Sequence, residues 1–414
     1  MKNSPKVSVI ILNFNGKHHL KDCFESLYAQ DFPFNDMELI LADNGSNDGS
    51  VEFVKKKFPE VNTIEFKENL GFAEGNNRAA KKAKGDIIAF MNNDMRAHPL
   101  WLKNLVENLD LNKGIVATSS KILNWDGNKI DFIGGVMTPF GHGYQPRFGE
   151  KSSKVKDDTK EIFFPCGGAM AIYKNFFLEI GGFDPDFFAY FEDVDLGWRI
   201  WLFGEKVLFV PDSVVYHRHL ATGGLLAHEK RSFLYERNAL FTIFKNYEDF
   251  RLSLYLPAAL LMGSAKNILT STFSFQEFYI GPKKDEEKSP KKESPWAKKK
   301  RNIKTIIKEK DFKAPFRWLV LQISRIVLKM IGYHPVPRYA FVFPAAAYDF
   351  IFHLNTFMKK RRWIQSNRKK SDEEIFSFFK LENQFHPDLN PDYIIIIEKL
   401  IKVIQDITKE KKKK

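Results

Sequence analysis

The stretch FAYFEDVDLGWRIWLFG, Phe188 to Gly204, sets three carboxylates, Glu192, Asp193 and Asp195, among large aromatic side chains. Carboxylates in apolar company are costly to desolvate unless something pairs with them or uses them. A helix starting near Glu192 puts Val194, Trp198, Trp201 and Leu202 on one apolar face and Asp195 one turn before Arg199, where the two can pair. That pairing is a structural explanation of Asp195. Two explanations stand open for Glu192 and Asp193. As first-turn acids they suit the helix dipole. Alternatively, Asp193 faces a cleft and removes a proton from an incoming hydroxyl.

Other chemistry-bearing residues sit just after apolar runs. Asp43 closes MELILAD and opens DNGSNDGS. It fits either an Asx-turn and helix cap or a carboxylate that accepts an N–H from a pyrimidine base. Asp48 suits the cap of the next helix and is read as structural. Asn92, Asn93 and Asp94 follow IIAFM. They make a turn, or they offer oxygen to a Mg²⁺ or Mn²⁺ that holds a diphosphate. His217 ends SVVYH and His219 points the same way if the strand continues. Either histidine can complete a metal site with Asp94, although a lone His is more often structural.

The elements that must position these groups are legible as hydrophobic periodicity. VSVIIL (7–12), MELILAD (37–43), NTIEF (62–66) and DIIAFMNND (86–94) read as strands. Helical spacing follows the first at Leu20, Cys23, Phe24 and Leu27, then recurs over 51–58 and 76–85. This alternation predicts an open, doubly wound parallel α/β sheet. Ligands of such sheets gather at the carboxyl ends of the strands, where Asn13, Asp43 and Asp94 fall. No GxGxxG follows strand one and no Walker A motif is present. After about residue 230 the alternation gives way to helices.

The composition bounds partners and compartment. Formal net charge is +13, concentrated in basic runs at 283–301, 358–362, 367–370 and 409–414. Basic runs beside aromatic and apolar helices favour an anionic membrane surface, and no recognition module supports nucleic acid. Two cysteines, Cys23 and Cys166, form no disulfide framework or zinc spacing, which points to a reducing compartment. The N-terminus does not read as a signal peptide.

Taken together, VSVIILNFNG, LADNGSNDGS, ENLGFAEGNN, FMNND, FFAYFEDVDLGWR and VVYHRH resemble, in order, the motifs of the family 2 glycosyltransferases with a GT-A fold, over roughly residues 5 to 250. ENLGFAEGNN is similar to the rhamnosyltransferase-like branch. The resemblance implies a doubly wound mixed sheet in a catalytic domain over 1–250, followed by a mainly helical, basic region over 251–414. It implies an inverting hexosyltransferase acting in cell-surface polysaccharide assembly. The donor would be a nucleotide-diphosphate sugar, with dTDP-rhamnose ahead of a UDP-sugar. The acceptor would be a glycan or lipid-linked hydroxyl. Carried onto this chain, Asp43 and Asn13 would line the base pocket, and the loop from Asn69 through Asn76 would pass along the nucleoside. Asp94 would hold a divalent cation, with Asn93 nearby and His217 on the metal or diphosphate. Asp193 would be the general base and Glu192 would help place the acceptor. A strict DxD has Asp where this chain has Asn92, which removes one charge. A catalytically inactive sugar-binding scaffold and a nucleotidyltransferase are the competing readings. The latter needs a Gly-rich loop after strand one, and NFNGKHHL supplies one Gly.

The second half bears on the membrane. FRWLVLQISRIVLKMIG (316–332) reads as amphipathic, and 282–302 as a Lys-rich linker. YAFVFPAAAYDFIFHLNTFM (339–358) approaches spanning length but carries Asp349, His353 and a Pro. It is expected to lie in the interface with MKKRR (358–362) at the headgroups. The protein is accordingly expected to be cytoplasmic and peripheral on the inner face of the membrane.

Overall fold

The structure is a computed structural model that describes residues 6–218, 228–270, 341–378 and 391–413. Two compact units are present, one formed by Met1–Ser264 with Val342–Lys414, the other by Ala265–Phe341. Only residues 265–270 and 341 of the second unit are described. The expected linker at 282–302, the helix at 316–332 and His219 lie outside the described residues.

The first unit opens with β1 (Val7–Asn13), α1 (Lys17–Tyr28), β2 (Met37–Asp43), α2 (Ser50–Lys57), β3 (Asn62–Glu65), α3 (Gly71–Lys82) and β4 (Ile87–Asn92). Val7, Val9, Ile10 and Ile11 are fully buried, as expected of a strand covered on both faces. β1 pairs in parallel with β2 and β4, and β2 in parallel with β3. In-register pairing sets Asn13 beside Asp43 and Leu12 beside Asn92, so the strand ends are level. The strand expectations hold to within two residues. Helix α3 departs from them, starting at Gly71 rather than near 76.

The chain continues through β5 (Met95–Ala97), α4 (Trp101–Glu107), β6 (Ile115–Asn124), β7 (Ile130–Phe132), β8 (Val136–Met137), β9 (Gly143–Tyr144), β10 (Lys160–Glu161) and β11 (Ala169–Tyr173). Then come α5 (Lys174–Glu179), α6 (Glu192–Leu202) and β12 (Lys206–His217). The main sheet runs β10-β12-β6-β11-β4-β1-β2-β3. β11 is antiparallel to both β4 and β6. The sheet is therefore mixed: the parallel set of the first half stops at β4, where the antiparallel β11 is inserted, and β6 and β12 beyond it pair in parallel again.

The rest of the described chain is helical: α7 (His228–Asn246), α8 (Asp249–Thr270), α9 (Val342–Phe352), α10 (Leu354–Asn367), α11 (Asp372–Ile375) and α12 (Pro391–Lys413). α9 and α10 pack on α7, with the rings of Phe241 and Phe357 stacked at 3.7 Å between centroids. Among the described residues no helix is long and apolar enough to cross a membrane. The stretch 339–358 is broken at His353, between α9 and α10.

Candidate active site

The carboxyl ends of β2, β1 and β4 are laced by one run of side-chain hydrogen bonds. Asn93 Nδ2 donates to Asn13 Oδ1 at 2.7 Å, and Asn13 Nδ2 donates to Asp43 Oδ2 at 3.0 Å. Asp43 Oδ1 in turn accepts from Ser46 N at 2.8 Å, so the Asx-turn geometry is present. Asn13, Asp43, Asn93 and Asp94 are all buried. Asp48 accepts from Lys17 N and Ser50 N, binding the α1 entry to α2, one position before the cap at Gly49.

Asn69 and Asn76 shape local backbone. Asn69 Oδ1 accepts from Asn44 Nδ2 at 3.0 Å and Gly71 N at 2.9 Å. Asn76 is a buried α3 residue whose Nδ2 donates to Phe72 O at 3.0 Å. The expected loop from Asn69 through Asn76 is thus helical from Gly71 onward, and that part of the expectation is corrected. The early start is possible because Gly71 takes φ +81 and has no Cβ. A Cβ there would meet Phe188 O at 2.6 Å.

His217 reaches Asp94 through strand pairing. β12 runs antiparallel to β5 with His217 opposite Met95, the residue after Asp94. His217 Nε2 lies 3.4 Å from Asp94 Oδ2, and Nδ1 lies 2.6 Å from Asp131 Oδ2. Burial by itself lowers the imidazole pKa, but the bonds to Asp131 and Asp94 outweigh it and push the value up to about 9. Sequence reasoning missed Asp131. It lies on β7, and an acid between Ile130 and Phe132 was its only signal.

Asp193 sits in the first turn of α6. Its Oδ2 accepts from Gly167 N at 3.0 Å and its Oδ1 from Val194 N at 2.9 Å. The same turn returns to β4, where Asn92 N donates to Gly168 O at 2.9 Å. Gly168 permits this approach, since a Cβ would meet Asn92 Nδ2 at 2.6 Å. Asp193 is therefore stitched to the sheet edge that carries Asp94 and Asp43. Burial raises its pKa, and the N–H groups of Gly167 and Val194 partly offset that. Glu192 is more deeply buried, and its Oε2 accepts no hydrogen bond. Burial first, and then the charge of Asp193, hold its carboxyl well above the usual range. Both carboxyls are thus shifted toward the protonated form, Glu192 the further of the two.

Asp195 is structural, as expected. Arg199 Nε donates to its Oδ2 at 2.9 Å, and Asn246 Nδ2 to its Oδ1 at 2.9 Å. Val194, Trp198, Trp201 and Leu202 are buried. A cavity of about 320 Å³ bounded by Asp184, Arg199, Lys245, Lys360 and Trp363 shares none of the site residues and is set apart from this chemistry.

The loop before α6 is held in an unusual shape. Phe188, Tyr190 and Phe191 all have positive φ, at 64°, 70° and 66°. Non-glycine residues pay roughly 1–3 kcal/mol each for such conformations and keep them only where surroundings enforce them. The enforcing group is Asn238 of α7, another residue the sequence did not disclose. Its Nδ2 faces the carbonyls of Phe187, Ala189 and Tyr190 at 3.1, 3.0 and 2.7 Å. On the other side, Phe188 O accepts from Phe72 N at 2.7 Å, which joins the loop to α3.

Comparison with known proteins fits this arrangement. Residues 8–181 match the family described as glycosyl transferase family 2. Residues 8–181 therefore carry a glycosyl transferase family 2 domain. It is 25% identical over 256 residues to N-acetylglucosaminyl-diphospho-decaprenol L-rhamnosyltransferase of Mycobacterium tuberculosis, covering 55% of this chain and 82% of that protein. Glucosyl-dolichyl phosphate glucuronosyltransferase of Haloferax volcanii is 24% identical over 187 residues, covering 44% of this chain and 56% of that one. The crystal structure of GalNAc-T7 with UDP, GalNAc and Mn²⁺ superposes with a TM-score of 0.50 at 20% identity, over 64% of this chain and 51% of that one. That likeness, with the mixed sheet, gives the family 2 domain a GT-A fold, followed by a helical C-terminal region.

Proposed function

We propose that this glycosyltransferase moves a sugar, rhamnose-like by its branch, from a nucleoside diphosphate to a hydroxyl of a glycan or lipid-linked acceptor, with inversion at the anomeric carbon. The catalytic domain would span 1–250, with the helical region 251–414 serving the membrane side of the reaction. The observation that carries the reading is the shared sheet edge. Asp43, Asn13 and Asn93 form one hydrogen-bonded run ending beside Asp94, and Asp193 is tied to the same edge through the Gly167–Gly168 turn.

The donor set suits a divalent cation. Asp94 supplies a carboxylate and His217 an imidazole, and Mg²⁺ or Mn²⁺ completes its shell with diphosphate oxygens and water. Among the described residues no group of three or more His, Cys, Asp or Glu is placed to hold a metal ion, so substrate oxygens and water would have to supply the rest of the shell. Such an ion neutralises charge on a departing diphosphate. Similar proteins support this reading: GalNAc-T7 is bound to UDP and Mn²⁺, and the two relatives act on diphospho-decaprenol-linked and dolichyl phosphate-linked sugars.

The chain's own residues do the rest. Asp43 keeps lone pairs for a base N–H beyond its bonds to Asn13 and Ser46. Asn69 and Asn76 shape the turn and helix that border the nucleoside. Asp193, its pKa raised by burial, is suited to take the acceptor's proton. Glu192, pushed toward its protonated form by burial, is suited to donate a hydrogen bond to the acceptor. A polyprenyl-linked acceptor would bring the enzyme to the inner face of a membrane. The test is a panel of nucleotide sugars, read by thermal shift with and without Mn²⁺ and followed by product stereochemistry. Stabilisation by a nucleotide sugar with no transfer or donor hydrolysis would favour the inactive scaffold, and stabilisation by none of them would overturn the donor assignment.

A further inference from the structure

The outward face of α9 and α10 is built for something other than water. Val342, Phe343, Ala346, Phe350, Phe357 and Ile364 are buried, which fixes the rotation of both helices. On the opposite face Tyr348, Ile351 and Phe352 are 70%, 64% and 72% exposed, and Trp363 is 43% exposed. At 100° per residue these positions, with Lys359 and Arg362, share one sector of roughly 120°. The turn at His353 keeps them aligned, because His353 N bonds Asp349 O and Phe357 N bonds His353 O, each at 3.1 Å. Scattered single apolar residues are ordinary on a surface. Three large ones on adjacent turns, continued by an exposed Trp, are a patch.

The charges on this face are one-sided. Asp349 is the only acid between 341 and 367, and it turns aside to Arg237 Nη1 at 3.4 Å. The basic run MKKRR divides by face, which corrects the expectation that all of it meets headgroups. Lys360 is spent on Asp184 and Asp186, and Arg361 on Asp249 and the carbonyls of Phe244 and Tyr247. Lys359 and Arg362 remain exposed, next to Trp363. The face therefore has an aromatic and aliphatic end and a cationic end, with no exposed acid.

We propose that this face docks on an anionic lipid bilayer, with Tyr348, Ile351 and Phe352 entering the headgroup boundary and Lys359 and Arg362 meeting lipid phosphates. Aromatic side chains with a polar tip suit that boundary, and each basic residue adds attraction to an anionic leaflet. α9 has 11 residues, so it lies along the surface rather than through it. The inference rests on the membrane-side acceptor proposed above and gives it a surface.

The test is co-sedimentation of the full chain with vesicles of phosphatidylcholine alone or mixed 3:1 with phosphatidylglycerol. The wild type is expected to pellet with the anionic vesicles at low salt and to stay in solution with phosphatidylcholine. Y348E/F352E and K359E/R362E are each expected to weaken anionic-vesicle partitioning by about tenfold or more, with unchanged thermal midpoints. Both variants should retain wild-type turnover on a water-soluble acceptor. Failure of the wild type to pellet overturns the proposal. So does equal pelleting of both variants, which would assign binding to the basic tail, or a wild-type dimer that the variants convert to monomer. Vesicle binding needs no sugar transfer. A chain that binds vesicles but transfers nothing therefore refutes the function and leaves this surface intact.

Discussion

His217 Nδ1 lies 2.6 Å from Asp131 Oδ2, and this contact aims Nε2 at Asp94, 3.4 Å away. Asp131 holds the Nδ1 side of the ring, and the role proposed for it is to orient the imidazole. Partners of this kind fix tautomer and ring direction, and their loss typically weakens metal affinity by about 10- to 100-fold. Asp131→Asn is expected to weaken Mn²⁺ binding in that range, measured by calorimetric titration with nucleoside diphosphate present. Undiminished affinity would reduce Asp131 to a packing residue.

Asp193 and Glu192 are neighbours whose carboxyls are both raised by burial, Glu192 the further. Asp193→Asn removes the base and is expected to lower turnover by about 10³-fold, within the usual range for a general base, with donor affinity little changed. Glu192→Gln preserves the shape and hydrogen-bond donor of a protonated acid. It is expected to lower turnover less than about tenfold, whereas Glu192→Ala raises the acceptor KM. Near wild-type transfer by Asp193→Asn sinks the assignment.

Asn238 clamps the strained loop that leads into Asp193. Asn238→Ala leaves the carbonyls of Phe187, Ala189 and Tyr190 without that donor, and the positive-φ residues can relax. Buried hydrogen bonds of this sort are worth about 1 kcal/mol each net. The variant is expected to lose several degrees of thermal midpoint and to raise acceptor KM more than donor KM. An equal change in both constants would mean that the loop only stabilises the fold.

Asp184 is buried between Lys245 and Lys360. Burial raises its pKa, but the two ammonium groups outweigh that and hold it well below the ordinary 3.8. A depressed folded pKa means the stabilisation is complete above the unfolded value and is lost as pH falls through the folded one. The contribution should therefore be intact at neutral pH and fade only below about pH 4. Asp184→Asn is expected to cost about 3 kcal/mol at pH 7, measured by denaturant unfolding. The gap to wild type should close in strongly acidic buffer, and a gap independent of pH would show that charge is not the cause.

The sequence made the nucleotide-side strands plain because their information is local. Buried β-branched runs at Val7 to Leu12 and Met37 to Asp43 end at the residues that carry the chemistry. The Asp195–Arg199 pair was equally legible, being one helical turn apart. The antiparallel β11 was not, because hydrophobic content is the same for either strand direction. Helix α3 started early because Asn69, Gly71 and the carbonyl of Phe188 set its first turn, and two of those three lie in loops.

By itself, then, the order of residues determined a GT-A-like sheet and the types of group at its edge: carboxylates at 43, 94 and 193, amides at 13 and 93, an imidazole at 217. Only the tertiary structure decided which of them touch. Asp131 meets His217 across 86 residues, and Asn238 holds carbonyls about 50 residues earlier. It also decided that Lys360 and Arg361 turn inward while Lys359 and Arg362 face out. Periodicity separates the faces of a helix, but which face is covered depends on what packs against it, here Phe241 of α7 on Phe357.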